Sequence, residues 1–174
     1  MLKLINKSIL NIDVDIIVMS ANPSLLAGSG VSRVIHRAAG PELEAYAKEI
    51  GPVGVGQAVI TPGFNLNANY VVHTVCPRYY DGLRGESEQL KAAYLNALLV
   101  CDEISKASSI AFVAMGTGVY KWPANLAASI AFGELSKSTF DETIVCFTDE
   151  RLMRFYEACA SDFTEKPSII VDDN

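Results

Sequence analysis

No apolar run in the 174-residue chain approaches the ~18 residues that a membrane-spanning helix needs. Cysteine is scarce. Cys76, Cys101, Cys146 and Cys159 show no C-x-x-C spacing, which argues against a disulfide framework and a redox motif alike. Histidine is scarcer still, with only His36 and His73, so no zinc cluster and no resident cofactor is expected. Positive charge is also short: 14 Lys and Arg against 20 Asp and Glu give a formal net charge of −6, which excludes a broad basic face for duplex nucleic acid. From Met1-Leu2-Lys3-Leu4 no secretory leader is expected. A cytoplasmic protein, with its cysteines reduced and buried as small hydrophobes, is the expectation, and the Asn6-Lys7-Ser8 sequon is then a chance match.

What is present fits one globular domain. Half the residues are hydrophobic and 20% are charged, which excludes disorder. The length divided by the usual ~150 residues gives about one domain, expected over residues 1–163, with 164–174 a loosely held acidic tail. Short runs rich in Val, Ile and Phe predict strands over 2–5, 15–20, 57–61, 70–75, 109–115 and 142–147. Helical patterns lie between them, over 31–39, 42–50, 86–106, 123–135 and 150–160. In the third, Leu90, Tyr94, Ala97, Leu98, Cys101 and Ile104 recur at helical spacing, the stripe of a core helix. Alternation of this kind predicts an α/β fold with a central, largely parallel sheet. Ligands in such sheets bind beyond the carboxyl ends of the strands.

Two of the predicted strands run into small-residue turns that open helices. The first turn is Ala21-Asn22-Pro23-Ser24-Leu25-Leu26-Ala27-Gly28-Ser29-Gly30, and the second is Gly116-Thr117-Gly118-Val119-Tyr120. Small residues let the main chain approach a ligand, and a helix start adds unpaired N–H groups and a positive dipole end. A pair of such turns on one sheet fits a diphosphate. Neither turn is a P-loop or a G-x-G-x-x-G fingerprint.

These residues, with Ile35-His36-Arg37-Ala38-Ala39-Gly40-Pro41, Gly56-Gln57-Ala58, Val72-His73-Thr74-Val75 and Ser109-Ile110-Ala111-Phe112, make the chain resemble the macro domain family. The likeness runs from about residue 3 to residue 160. It is strongest to the branch that removes ADP-ribose or O-acetyl groups from ADP-ribose conjugates. The resemblance implies a three-layer α/β/α sandwich with a mixed, mostly parallel sheet and an ADP-ribose cleft at its crest. It further implies that Gly28, Ser29, Gly30, Val31 and Ser32, together with Gly116, Thr117, Gly118, Val119 and Tyr120, wrap the diphosphate and distal ribose. Asn22 would bond the distal ribose, Phe147 would stack on adenine, and Ser8 and the Ile9 amide would meet the adenine edge.

The chain departs from that pattern in ways that bear on chemistry. The hydrolytic branch carries an Asp where this sequence has Ser32, and a neutral hydroxyl is no base at neutral pH. Losing a general base typically costs about 10²–10⁴-fold in rate. Ser8 stands at the adenine-selecting Asp, Met19 at a usual Asn, and Ala27 and Ser29 at loop glycines. Asp81 and Glu86, in the loop from Arg78 to Gln89, are the carboxylates within reach of the cleft, though a solvated loop is the plainer reading. His36 reads as a satisfied structural histidine. His73 and Cys76, three apart on a strand, do not face one another. Trp122 is expected beneath the second turn.

Three functions follow from the residues: an ADP-ribose binding module for the free nucleotide or ADP-ribosylated protein, a hydrolase weakened at Ser32 with Asn22 and Ser32 positioning water, or a diverged fold that binds another nucleotide or a protein partner. The intact cradle and missing base put binding first. The oligomeric state stays open.

Overall fold

The computed structural model describes residues 1–161 and the strand Ser168–Ile170. In chain order the elements are β1 (Leu2–Asn6), β2 (Ile16–Ala21), α1 (Gly30–Ala39), α2 (Pro41–Ile50), β3 (Ala58–Pro62), β4 (Tyr70–Val75), α3 (Glu86–Asp102), β5 (Ser109–Val113), α4 (Ala124–Leu135), β6 (Glu142–Phe147), α5 (Glu150–Ala160) and β7 (Ser168–Ile170). The strands form one sheet in the order β3-β4-β2-β5-β6-β1-β7. Every neighbouring pair is parallel except β3 with β4. Helices α1 and α2 pack together on one face, and α3, α4 and α5 pack in succession on the other. The expected α/β/α sandwich with a mixed sheet is therefore the fold.

The core follows from the sequence pattern. A strand covered on both faces has no polar side to show. Accordingly Ile16, Ile17, Val18 and Met19 of β2 are all 2% exposed or less. The predicted stripe of α3 is buried at Leu90, Tyr94, Ala97, Leu98 and Cys101, with Ala93 beside it, while Ile104 falls beyond the helix and is partly buried. Burying a leucine such as Leu90 contributes roughly 1.5–3 kcal/mol, and an alanine such as Ala97 less. Helix α3 ends at Asp102 rather than continuing to residue 106, because the Ile104 N–H closes on the Cys101 carbonyl at 2.9 Å and the chain turns away. Cys76, Cys101 and Cys146 are buried, and no disulfide forms among the described residues. Among the described residues, no helix is long and apolar enough to cross a membrane.

Of the segment expected to be loosely held, Ser168–Ile170 pair in parallel with Lys3–Ile5 of β1, and the remaining positions lie outside the described residues. A short 3-10 turn, Ile9–Asn11, follows β1 and is capped by Ser8.

The topology places the site. Parallel strands β1, β2, β4, β5 and β6 deliver their carboxyl ends to one rim. Strands β2 and β5 are neighbours, yet the chain leaves β2 towards β4 and leaves β5 towards β6. Connections that diverge from adjacent strands open a crevice between them.

Candidate functional site

Asn22 is the hub of the first turn. Its Nδ2 donates to the Leu26 carbonyl at 2.9 Å, and its Oδ1 accepts from Ser24 Oγ at 2.5 Å. The Leu25 N–H returns to the Asn22 carbonyl at 3.0 Å. Gly28, at φ +57°, lies so close that a β-carbon there would sit 2.8 Å from Asn22 Nδ2. The asparagine and glycine singled out in the sequence are thus brought together, and the side chain shapes the loop that carries it.

Beyond the hub, Gly28, Ser29 and Gly30 are exposed and lead into α1. Ser29 occupies the cap position without a side-chain hydrogen bond, and the first turn of α1 contains no acid. The leading N–H groups of a helix have no partner within it, and the dipole places about half a positive charge there. Among the described residues no acceptor outside the helix is bound to them.

The second turn is built on an indole. Trp122 is 4% exposed and donates from Nε1 to the Pro77 carbonyl at 2.9 Å. Its N–H and that of Lys121 close on the carbonyls of Gly116 and Gly118, at 3.1 and 3.2 Å. Thr117 Oγ1 donates to the Ala114 carbonyl at 2.8 Å. These bonds consume carbonyls and leave the amides of 117–120 without acceptors among the described residues. Gly118 and Val119 are exposed and Tyr120 half-buried. Trp122 lies under the turn, as the sequence predicts.

The loop after β4 is tied to this turn. Tyr79 N–H donates to the Tyr120 carbonyl at 3.0 Å, Tyr79 tilts against Trp122 with ring centroids 5.1 Å apart, and the Arg78 guanidinium lies 5.9 Å from the Tyr120 ring centre. Glu86 fixes the rest of it. Its Oε1 accepts from the amides of Tyr80, Asp81 and Gly82, and its Oε2 from that of Arg84 at 2.8 Å. Burial raises its carboxyl, but these donors outweigh that and bring it down to about 2. Asp81 is engaged by the Leu83 N–H and the Arg84 guanidinium. Both carboxylates are committed to the loop, and neither is free to act as a base.

Ser32 departs from expectation. It is 6% exposed, and its Oγ has no partner among the described residues. One helical turn on, His36 is 5% exposed with neither nitrogen partnered, so it is not the satisfied histidine predicted. Its ring meets His73 edge-on, centroids 6.0 Å apart. His73 Nε2 lies 3.0 Å from Thr61 Oγ1. Burial, with His36 adding repulsion, pushes His73 down to about 3 and keeps it neutral. Burial likewise lowers His36, opposed by Glu44. Cys76 is no nucleophile: burial pushes its thiol up to about 12, and its Sγ lies against Met115 Sδ at 3.6 Å.

At the far end of the rim, the register pairs Asn6 with Phe147, and the turn that carries Ser8 and Ile9 follows two residues after Asn6. Ser8 caps the 3-10 turn, accepting from the Leu10 N–H at 3.4 Å. Phe147 offers no open ring face: it is 2% exposed and packs edge-on against Tyr156, centroids 4.9 Å apart. The sequence-based stacking role for Phe147 therefore has no platform in this structure. The rim thus runs from the Asn22 hub at β2, through the amides after β5, to the ends of β6 and β1, three strand spacings or about 14 Å. Among the described residues no group of His, Cys, Asp or Glu is placed to hold a metal.

Residues 18–131 match the model of the macro domain family. An O-acetyl-ADP-ribose deacetylase of Cronobacter sakazakii is 38% identical over 169 residues, covering 90% of this chain and 91% of that protein. An Oceanobacillus iheyensis macrodomain variant solved with ADPR superposes at a TM-score of 0.85, with 32% identity and 91% of each chain covered. A Trypanosoma brucei macrodomain in complex with ADP-ribose gives a TM-score of 0.81 at 31% identity, covering 90% of this chain and 67% of that one.

Proposed function

The chain belongs to the macro domain family, and on that basis we propose that it binds ADP-ribose, free or carried on a mono-ADP-ribosylated protein, without efficient turnover. One observation carries the reading: two turns with unpartnered amides stand at the carboxyl ends of the adjacent strands β2 and β5. Backbone amides can hold a diphosphate without a cation, so the net charge of −6 does not exclude such a ligand. On this reading Gly28 to Ser32 and Gly116 to Tyr120 cradle the two phosphates. Asn22 holds the distal ribose side, and Ser8 with the Ile9 amide meets the adenine. Ser8 offers a neutral hydrogen bond, worth about 1 kcal/mol, where a carboxylate would give roughly 1.5–3.

Binding ranks above hydrolysis because the position after Val31 holds a buried, neutral hydroxyl, while Asp81 and Glu86 are engaged elsewhere. A second reading is a slow hydrolase of O-acetyl-ADP-ribose or of ADP-ribosylated protein. It is favoured by the name of the Cronobacter relative, with Asn22 and Ser32 then positioning water.

Calorimetry with ADP-ribose, paired with incubation in O-acetyl-ADP-ribose, tests both. Micromolar-range binding with the acetyl ester left intact is expected. No heat of binding overturns the proposal, and brisk acetate release transfers it to the second reading.

A further inference from the structure

Beside the cradle, on the outer flank of α1, lies a cavity of about 340 Å³ bordered by Ala27, Arg33, His36, Arg37, Gly40 and Glu44. It begins at the loop that carries Gly28 and runs along the helix towards α2. Arg33 and Arg37, one helical turn apart, are both exposed. Among the described residues neither guanidinium has an ion-pair partner. The His36 ring, 5% exposed, forms part of the wall, and both its nitrogens are closed off and have no partner among the described residues. A buried imidazole normally finds a partner, and an unmet one calls for explanation.

Two guanidinium charges against the single carboxylate of Glu44 leave one positive charge, on a chain whose total is −6. That balance matches a monoanionic carboxylate better than a dianionic phosphate, which Glu44 would repel. We propose that this groove takes an acidic side chain of the protein to which the ADP-ribose is attached, so that the site selects acidic sequence beside the modified residue. The inference rests on the ADP-ribose reading of the cradle and adds a partner to it: the nucleotide lies across the rim, and the peptide leaves past Ala27 along α1.

The test compares free ADP-ribose with two non-hydrolysable ADP-ribosylated peptides that differ only in Glu or Gln at the flanking positions. The unaltered protein should hold the Glu-flanked peptide about three- to tenfold tighter, the scale of one or two partly exposed charge contacts. The double variant Arg33→Gln, Arg37→Gln should lose that preference and keep its affinity for free ADP-ribose. Equal binding of the two peptides, or a preference that survives in the double variant, overturns the groove. Loss of free ADP-ribose binding by the unaltered protein overturns the cradle instead. The groove is then read separately, from the His36 imidazole resonances during titration with an unmodified Glu-rich peptide. They should move in the unaltered protein and stay fixed in the double variant. Stationary resonances, or movement with inorganic phosphate alone, end the proposal.

Discussion

A β-carbon built on Gly116 would fall 2.6 Å from Cδ1 of Trp122, the indole on which the second turn rests. Gly116 also sits at φ +85°, a backbone state that side chains rarely adopt. Gly116→Ala is therefore expected to cost about 1–3 kcal/mol in denaturant unfolding and to weaken ADP-ribose binding as the turn shifts. Two residues on, Gly118 has nothing within 4 Å of its ideal β-carbon. Gly118→Ala should leave stability within about 0.5 kcal/mol. Gly118→Glu should fold normally yet abolish binding, by setting a carboxylate against the diphosphate. A Gly118→Glu protein that binds as before removes the second turn from the site.

Ser32 separates recognition from catalysis. Its hydroxyl is buried with no partner, so Ser32→Ala should leave stability unchanged or slightly raised, and ADP-ribose affinity unchanged. Ser32→Asp supplies the missing base and should raise acetate release from O-acetyl-ADP-ribose at least tenfold, where a general base is worth about 10²–10⁴. Comparable release from the unaltered protein and Ser32→Asp would mean that this position does no chemistry.

The paired histidines make stability fall on mild acidification. His73 stands at about 3 in the fold, below its ordinary value near 6.5 in an open chain, so the unfolded state binds the extra proton in between. The contribution is complete above about pH 6.5 and declines as the pH drops towards 3, by at most about 1.4 kcal/mol per pH unit. His73→Leu should flatten that part of the unfolding free energy plotted against pH. Thr61 would keep its hydrogen bond to the Val71 carbonyl.

Glu86 acts in a lower window. With its carboxyl held at about 2 by the loop amides, the clamp is intact above the ordinary range near 4.3 and is lost as the pH falls through 2. Glu86→Gln should lack this acid-sensitive component. At neutral pH it should also speed hydrogen exchange at the amides of Tyr80, Asp81, Gly82 and Arg84, which native-state exchange by NMR reads directly.

The sequence exposed the features that depend on local pattern. The stripe of α3, the runs of β2 and β6 and the small-residue turns are written in spacing and composition, and the helix and strands form there, with β2 shifted by one residue and α3 ending four residues early. What it concealed depends on which face a residue presents after packing. Phe147 ends a strand, but whether its ring opens to the rim or closes on Tyr156 is decided by α5, far along the chain. His36 was legible as buried, since it sits at i+4 from Ser32 on the apolar face of α1, but its lack of a partner depends on β3 and β4 beneath it. Glu86 left one faint signal, a carboxylate at a helix start behind Gly82 and Gly85, whose positive φ lets four amides turn inward. The strand Ser168–Ile170 left none, because three residues show no period.

The parallel arrangement has a practical corollary. Since the strands send their carboxyl ends to one rim, the turns at 103–108 and 136–141, which feed the amino ends of β5 and β6, lie at the opposite pole. A fluorophore, surface tether or fusion joined there leaves the crevice free, so the domain can be immobilised as a capture reagent without masking what it holds.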